Sequence, residues 1–201
     1  MALHRIKTIN LDSAMHSLSH GTHQKHMFVC HETVSYNVKG MADILGVENV
    51  LQKEGYGIHG MTDKDGHKCW AHDMGNAIFW HAGDVNDVAV GCENVSEIPI
   101  LVQAKKVTHE QAWKMWMDRH AQLSALAILI ACWHNTNPKA HPLRRSNGRI
   151  DSPGVCSHWD VSQHYASSGG HWDCWPHDKG GYFPLAHVLQ MAKHYATVYK
   201  F

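Results

Sequence analysis

Residues 27–31 read Met-Phe-Val-Cys-His, a run of four apolar residues that ends in a histidine. A short apolar run bounded by polar sequence is typical of a buried strand. His31 would lie where this strand ends and a loop begins, so its imidazole could emerge at the edge of a sheet. Residues 1–26, which precede the strand, are polar and rich in histidine, and we interpret them as an N-terminal extension.

Hydrophobic periodicity predicts the elements that follow this strand. Apolar residues at helical spacing predict three helices, over 38–53, over about 109–133 and from Pro184 onward. Short apolar segments predict four more strands, at 56–61, 68–71, 77–80 and 88–92. A tight turn is predicted at 63–66, and a loop over 134–157. This order of elements predicts an α/β protein with a mixed central β-sheet flanked by helices, in a single domain over 1–201.

The composition argues for an ordered protein that binds neither nucleic acid nor membrane. The 201 residues include 18 Lys+Arg and 18 Asp+Glu, so no net charge favours nucleic acid or an anionic membrane surface. Low charge and eight tryptophans argue against disorder. The longest apolar run, 125–132, is far shorter than the ~20 residues of a membrane span. The 20 histidines are the most unusual count, and they suggest metal binding.

The six cysteines are interpreted as reduced thiols rather than disulfides. The sequence has no CxxC pair, most of its cysteines lie in apolar stretches, and residues 1–20 lack the apolar centre of a signal peptide. These features predict a protein that is made in a reducing cytoplasm without its own export signal.

Several histidines beside acids and glycines predict a metal site with dispersed ligands. Zinc hydrolases use three protein ligands, usually histidine or carboxylate, and leave a fourth position for water. The compact HExxH signature is absent, so the ligands must come from separate segments. His31 is one candidate and His158 is a second. The glycine pair at 169–170 allows a tight turn that would place His171 and Asp173 on one side of an extended segment.

Six short motifs share a characteristic order and spacing: Phe28-Val29-Cys30-His31, Gly57-Ile58-His59 to Asp65-Gly66, Trp80-His81-Ala82-Gly83, Val90-Gly91-Cys92-Glu93, Ser157-His158-Trp159-Asp160 and Gly170-His171-Trp172-Asp173. Together they resemble the zinc-dependent N-acetylmuramoyl-L-alanine amidases of type 2, which share a fold with peptidoglycan recognition proteins. Within that family the sequence is most similar to the amidase domains of actinobacteriophage endolysins. The resemblance covers about residues 27–195.

The resemblance implies one zinc ion, Zn2+, and assigns its ligands by motif. The ligands fall on His31, His158 and Asp173. The family commonly has proline after this aspartate, where this chain has Cys174. Cys174 therefore remains an alternative to Asp173 as the third ligand.

The same resemblance implies two catalytic groups. The acid/base position falls on Glu93, which would accept a proton from zinc-activated water. Some phage members use a tyrosine at the position of Ile58, which cannot ionise, and this favours Glu93 as the base. A lysine or histidine that stabilises the oxyanion in the family falls on His171.

Four further residues are candidates for substrate binding: His81, Asn86, Trp159 and Trp172. His81 belongs to a motif that lines the substrate groove in the family, although a structural role is equally open. Asn86 could contact substrate or shape the loop before the Glu93 strand. The two tryptophans could stack on sugar or peptide, or pack around the metal site. Asp160 could accept a hydrogen bond from a ligand histidine, or cap a helix.

The function implied by the resemblance is a peptidoglycan hydrolase that cleaves the amide bond between N-acetylmuramic acid and L-alanine. The protein would be a monomeric, antimicrobial phage endolysin, made in the host cytoplasm without a signal peptide and acting on the bacterial cell wall after release, for host lysis. Its partner would be bacterial peptidoglycan. Two alternatives remain: a non-catalytic peptidoglycan-binding module of the same fold, and a zinc peptidase that cuts another stem-peptide bond.

Overall fold

The computed structural model describes residues 7–8, 19–20, 24–33, 43–54, 57–71, 74–75, 77–168 and 170–199. The strands in these residues are β1 (Lys7–Thr8), β2 (Ser19–His20), β3 (Met27–Glu32), β4 (Gly60–Thr62), β5 (Lys68–Trp70), β6 (Ala77–Ile78), β7 (Ala89–Asn94) and β8 (Gly154–Ser157). The helices are α1 (Ile44–Glu54), α2 (Ile98–Gln103), α3 (His109–Met117), α4 (His120–Thr136), α5 (His158–Ser162) and α6 (Leu185–Val198). No helix in this described part of the chain is long and apolar enough to cross a membrane.

Six of the described strands form one mixed β-sheet, in the order β1-β5-β4-β7-β3-β8. Strand β3 is parallel to both of its neighbours, β7 and β8, and β4 is parallel to β7. Strand β5 is antiparallel to β4 across the predicted turn at 63–66. Strands β2 and β6 form a separate antiparallel pair. The predicted α/β architecture with a mixed central sheet and flanking helices is confirmed.

Strand β3 is buried on both faces, which explains why its sequence is continuously apolar rather than alternating. Cys30 faces a core that also contains residues of α3, α4 and α6. Val29 faces a second cluster, which contains residues of β7 and β8. Because side chains alternate along a strand, His31 lies on the face of Val29 and Glu32 on the face of Cys30. All six cysteines are free and buried, as reduced thiols packed like small apolar residues would be.

The helix predicted over 109–133 is in fact two helices, α3 and α4, which are separated at Asp118–Arg119. The prediction was wrong there because the hydrophobic periodicity continues across a break that contains neither glycine nor proline. The loop predicted over 134–157 was also wrong at its end, since β8 begins at Gly154. Helices α2 and α5 have no counterpart in the sequence prediction, because six and five residues are too few to show a helical period.

Other element boundaries differ by a few residues. The strand predicted at 56–61 is observed from Gly60 to Thr62, and the strand predicted at 77–80 is observed only at Ala77–Ile78. Helix α1 begins at Ile44, and residues 38–42 of the predicted helix lie outside the described residues, as does most of the N-terminal extension. Pro184 is the residue before α6 rather than its first helical residue.

Candidate metal centre

The carboxyl ends of β3 and β8 bring two histidines together. The strands are parallel neighbours, so their carboxyl ends lie at the same edge of the sheet. His31 is near the end of β3, and His158 follows β8 directly as the first residue of α5. Their Nδ1 atoms are 3.1 Å apart. Asp173, from the loop before α6, completes a group of three buried side chains whose candidate ligand atoms all lie within 4.8 Å of one another.

His158 is held by the hydrogen bonds that begin α5. Ser157 and Asp160 form a reciprocal capping box, in which Asp160 N donates to Ser157 Oγ at 3.2 Å and Ser157 N donates to Asp160 Oδ2 at 2.9 Å. Arg145 Nη2 donates to both oxygens of the Asp160 carboxylate, at 3.0 and 2.9 Å. Of the two roles open for Asp160, these contacts favour capping, which fixes where the helix starts and therefore where His158 lies.

The distances among the three side chains match the edges of a tetrahedral zinc site. Asp173 Oδ1 lies 3.1 Å from His158 Nδ1, and Asp173 Oδ2 lies 3.5 Å from His31 Nδ1. Zinc bonds of ~2.0–2.2 Å at tetrahedral angles place ligand atoms about 3.3–3.6 Å apart, close to these distances. Two imidazoles and one carboxylate are also a donor set that catalytic zinc sites use, with one position left for water. The residues therefore fit one zinc ion.

The protonation states of His31 and Asp173 suit metal binding. Burial, followed by the neighbouring His158, lowers the pKa of His31 to about 4, so its imidazole is neutral at pH 7. Burial alone would raise the pKa of Asp173, but hydrogen bonds from His158, His171 and His31 hold that pKa well below its usual value. A neutral imidazole and an ionised carboxylate are the forms that coordinate a metal.

His81 contacts the ring nitrogen of His31 that faces away from the proposed metal position. His31 Nε2 lies 3.0 Å from His81 Nδ1, a hydrogen bond that orients the His31 ring. Asn86 Oδ1 accepts from the backbone N–H of His81 at 3.0 Å and of Ala82 at 2.8 Å, so Asn86 shapes this loop. A Cβ at Gly91 would lie 2.7 Å from His81 Nδ1, so glycine on β7 lets the His81 ring approach the sheet.

Glu93 lies beside His31 on the neighbouring strand. The two residues are paired in the parallel register of β3 and β7, so their side chains extend from the same face of the sheet. Glu93 Oε2 is buried and has no hydrogen-bond partner among the described residues. Burial, with the carboxylates of Asp173 and Glu32 adding to it, raises the pKa of Glu93 to about 8. A carboxylate with a raised pKa beside a metal site is suited to proton transfer.

His171 lies on the solvent side of the group. Its ring stacks on His158 at a centroid separation of 4.0 Å and an interplanar angle of 19°. Its Nδ1 is 3.4 Å from Asp173 Oδ1, and its side chain is 53% exposed. The hydrogen bond with Asp173 raises the pKa of His171 and favours its cationic form.

Cys174 and the two predicted substrate-binding tryptophans lie around this group rather than in it. Cys174 is fully buried in the main core, where burial raises its thiol pKa well above the usual value. Trp172 packs against the same core. Trp159 stacks on Trp175, with ring centroids 5.7 Å apart and an interplanar angle of 9°. Among the described residues, the structure brings Asp173, not Cys174, to His31 and His158.

Glu32 is the residue that sequence reasoning missed. It follows His31 directly and is buried, yet it is ionisable and accepts hydrogen bonds from Trp116, Cys174 and Tyr182. Burial raises the pKa of Glu32 to about 8, while these three hydrogen bonds act in the opposite direction. The only sequence signal was an acid inside a strand that is otherwise apolar up to the ligand histidine.

Comparison with solved structures identifies the class of fold. LysCS, an endolysin N-acetylmuramoyl-L-alanine amidase from Clostridium intestinale URNW, matches with a TM-score of 0.57 at 17% identity over 96% of this chain and 99% of that chain. LysC, an N-acetylmuramoyl-L-alanine amidase from the same organism, matches with a TM-score of 0.56 at 15% identity over 93% of this chain and 97% of that chain. The Staphylococcus aureus hydrolase AmiA matches with a TM-score of 0.55 at 12% identity over 98% of this chain and 81% of that chain.

The chain thus has the fold of the N-acetylmuramoyl-L-alanine amidases, as the sequence resemblance implied. No family model matches the sequence, and no curated protein matches it.

Proposed function

We propose that the protein is a zinc-dependent peptidoglycan hydrolase that cleaves the amide bond between N-acetylmuramic acid and L-alanine. The observation that carries this proposal is the group of His31, His158 and Asp173, whose distances fit one zinc ion in an amidase fold. Glu93 and His171 lie next to this group, where the reaction needs an acid/base and an oxyanion-stabilising residue.

The chain's own residues divide the chemistry between them. Bound zinc supplies a water of lowered pKa and a Lewis acid for the lactyl amide carbonyl. Glu93 accepts a proton from the attacking water and passes it to the departing nitrogen of L-alanine. His171, exposed on the solvent side and favoured as a cation, donates a hydrogen bond to the oxyanion of the substrate. His81 keeps the ring of His31 in its orientation.

Asp173 is the proposed third ligand, in preference to Cys174. The Asp173 carboxylate lies against both histidines, whereas the Cys174 thiol is packed in the core. We expect Asp173→Asn to lose zinc and Cys174→Ser to keep one zinc ion per chain, as measured by elemental analysis. The opposite pattern would show that Cys174 is the ligand.

The proposed cellular role is based on the endolysins among the structures that this chain resembles. We propose a phage endolysin that acts on the bacterial cell wall after release from the host cytoplasm and that binds peptidoglycan as a monomer. His81, Asn86, Trp159 and Trp172 remain proposed substrate contacts. For His81 and Asn86, the observed hydrogen bonds add a structural role beside any contact with substrate.

Digestion of defined muropeptides tests the proposed reaction. Zinc-loaded protein should release stem peptides with free L-alanine N-termini and leave glycan with free lactyl carboxylates, both identified by mass spectrometry. New reducing sugar ends, or cuts only within the peptide, would contradict the amidase assignment. Binding of muropeptide without cleavage would instead identify a non-catalytic module of the same fold.

A further inference from the structure

We propose that Glu32 is a positioning residue of the metal centre. Its carboxylate fixes the Asp173–Cys174 segment, so that the carboxylate of Asp173 stays in place against His31 and His158. The proposal rests on the zinc site proposed above, but it does not depend on which bond of peptidoglycan is cleaved.

Glu32 lies behind the metal site, on the opposite face of β3. His31 and Glu32 are neighbours in the strand, so His31 extends toward the proposed metal and Glu32 toward α3 and the main core. Glu32 is only 3% exposed. A carboxylate is costly to bury unless hydrogen bonds compensate for the lost water. The hydrogen bonds that offset the cost of burying Glu32 therefore indicate what the residue does.

Three donors from three segments converge on this carboxylate. Glu32 Oε1 accepts from Trp116 Nε1 at 3.0 Å, and this donor belongs to α3. Glu32 Oε2 accepts from the backbone N–H of Cys174 at 2.7 Å and from Tyr182 Oη at 3.0 Å. The shortest of the three is the bond to the residue that follows Asp173.

Asp173 is thereby fixed on three sides. The backbone N–H of Glu32 donates to Asp173 Oδ2 at 3.3 Å. The backbone N–H of Trp159 donates to Asp173 O at 3.3 Å, from the start of α5. The next peptide N–H, that of Cys174, donates to the Glu32 carboxylate. Glu32 thus bonds both the side chain of the proposed ligand and the peptide that follows it.

The backbone of Cys174 needs such a partner. Its φ of 54° lies in the left-handed region, which disfavours residues that have a Cβ. A conformation of this kind persists only where the surroundings impose it. Without the carboxylate of Glu32, the Cys174 peptide would be free to relax, and the Asp173 carboxylate would move with it.

A purely structural role for Glu32 is the competing explanation, because Trp116 and Tyr182 also belong to the core. The two roles differ in what they predict for metal binding. A core contact affects the stability of the fold, whereas a positioning contact affects zinc affinity and ligand geometry even in fully folded protein.

The test compares Glu32→Met with Trp116→Phe in the full chain, without substrate. Methionine has a similar length to glutamate but accepts none of the three hydrogen bonds. Trp116→Phe removes the donor to Oε1 and part of a buried ring but leaves the bond to Cys174, so it is the control for a general loss of core stability. Zinc affinity is measured by competition with a chromophoric chelator, and the cobalt-substituted protein gives a visible spectrum that reports ligand geometry.

We expect Glu32→Met to bind zinc about 10–100-fold more weakly than the wild type and to show an altered cobalt spectrum, because a group that supports a metal ligand is lost. Trp116→Phe should bind within about threefold of the wild type. If Glu32→Met does not fold, Tyr182→Phe takes its place, since it removes one donor from the oxygen that bonds Cys174, and we expect it to weaken zinc binding.

Equal zinc affinity in the wild type and Glu32→Met, or in Tyr182→Phe where that variant is used, would overturn the proposal. An equally large loss in Trp116→Phe would also overturn it, because the effect would then be general destabilisation. Wild-type protein that binds zinc but cleaves another bond would overturn the proposed reaction while leaving the role of Glu32 intact.

Discussion

Replacing Glu93 with glutamine should separate stability from activity. The substitution keeps the shape of the side chain and removes its charge and its ability to exchange a proton. In the metal-free protein, burial with the nearby Asp173 and Glu32 raises the pKa of Glu93 from 4.5 to about 8. The unfolded chain has the ordinary value, so the folded state binds a proton that the unfolded state releases at neutral pH. The wild-type carboxyl therefore destabilises the fold at pH 7.

The magnitude follows from linkage between proton binding and folding. Below pH 4.5 the carboxyl is protonated in both states and costs nothing. Between the two pKa values, each pH unit adds about 1.4 kcal/mol of destabilisation, which amounts to about 3 kcal/mol at pH 7. We expect metal-free Glu93→Gln to be more stable than the wild type by up to about 3 kcal/mol at pH 7 and equally stable near pH 4.5.

Turnover should respond in the opposite direction. Loss of the acid/base residue should lower kcat by about 10²–10⁴-fold while one zinc ion remains bound. Urea unfolding between pH 4.5 and 7 measures the stability difference, and release of L-alanine N-termini measures kcat. Glu110→Gln on the exposed surface of α3 is the control, and it should change neither quantity appreciably. Full turnover in Glu93→Gln would refute its role as the acid/base residue, and an equal stability gain at both pH values would refute the raised pKa of Glu93.

The remaining predictions concern the supports of the site. His171→Ala should lower kcat by about 10²–10³-fold with zinc retained, and an unchanged kcat would remove this residue from the mechanism. Asp160→Ala should lower the free energy of unfolding by about 1–3 kcal/mol in urea, because the partly buried Arg145 loses its bidentate partner and α5 loses its capping box, and a loss below about 0.5 kcal/mol would contradict that account. Leu126→Ala, fully buried on α4, should cost about 2–5 kcal/mol without changing kcat of the folded protein. Chelation of zinc should abolish activity, with recovery on adding zinc back, and activity that persists in chelator would exclude a zinc enzyme.

The sequence predicted the class of fold and most of its buried elements because local patterns encode them. The apolar run before His31 and the helical spacing of the apolar residues in α6 both reflect which residues are buried, and both can be read from a short stretch of sequence. Periodicity could not show the break between α3 and α4, since Asp118 and Arg119 are not residues that end helices by themselves. The two shortest helices were also missed, because their starts depend on capping contacts and on packing.

The sequence by itself determined which residue types were available for a metal site and, through its motifs, which positions to propose. Only the tertiary structure brought the candidate ligand atoms of His31, His158 and Asp173 within 4.8 Å of one another. Parallel pairing of β3 with β8 joins positions that are far apart in the chain. The contacts that favour Asp173 over Cys174 as the proposed ligand likewise depend on the fold. The side chains of Asp173 and Cys174 point in different directions because of the conformation of the backbone that joins them. That backbone is held by Glu32, whose carboxylate accepts from Cys174 N–H and whose own N–H donates to the Asp173 carboxylate. Such a contact spans more than a hundred residues, so no local pattern could reveal it.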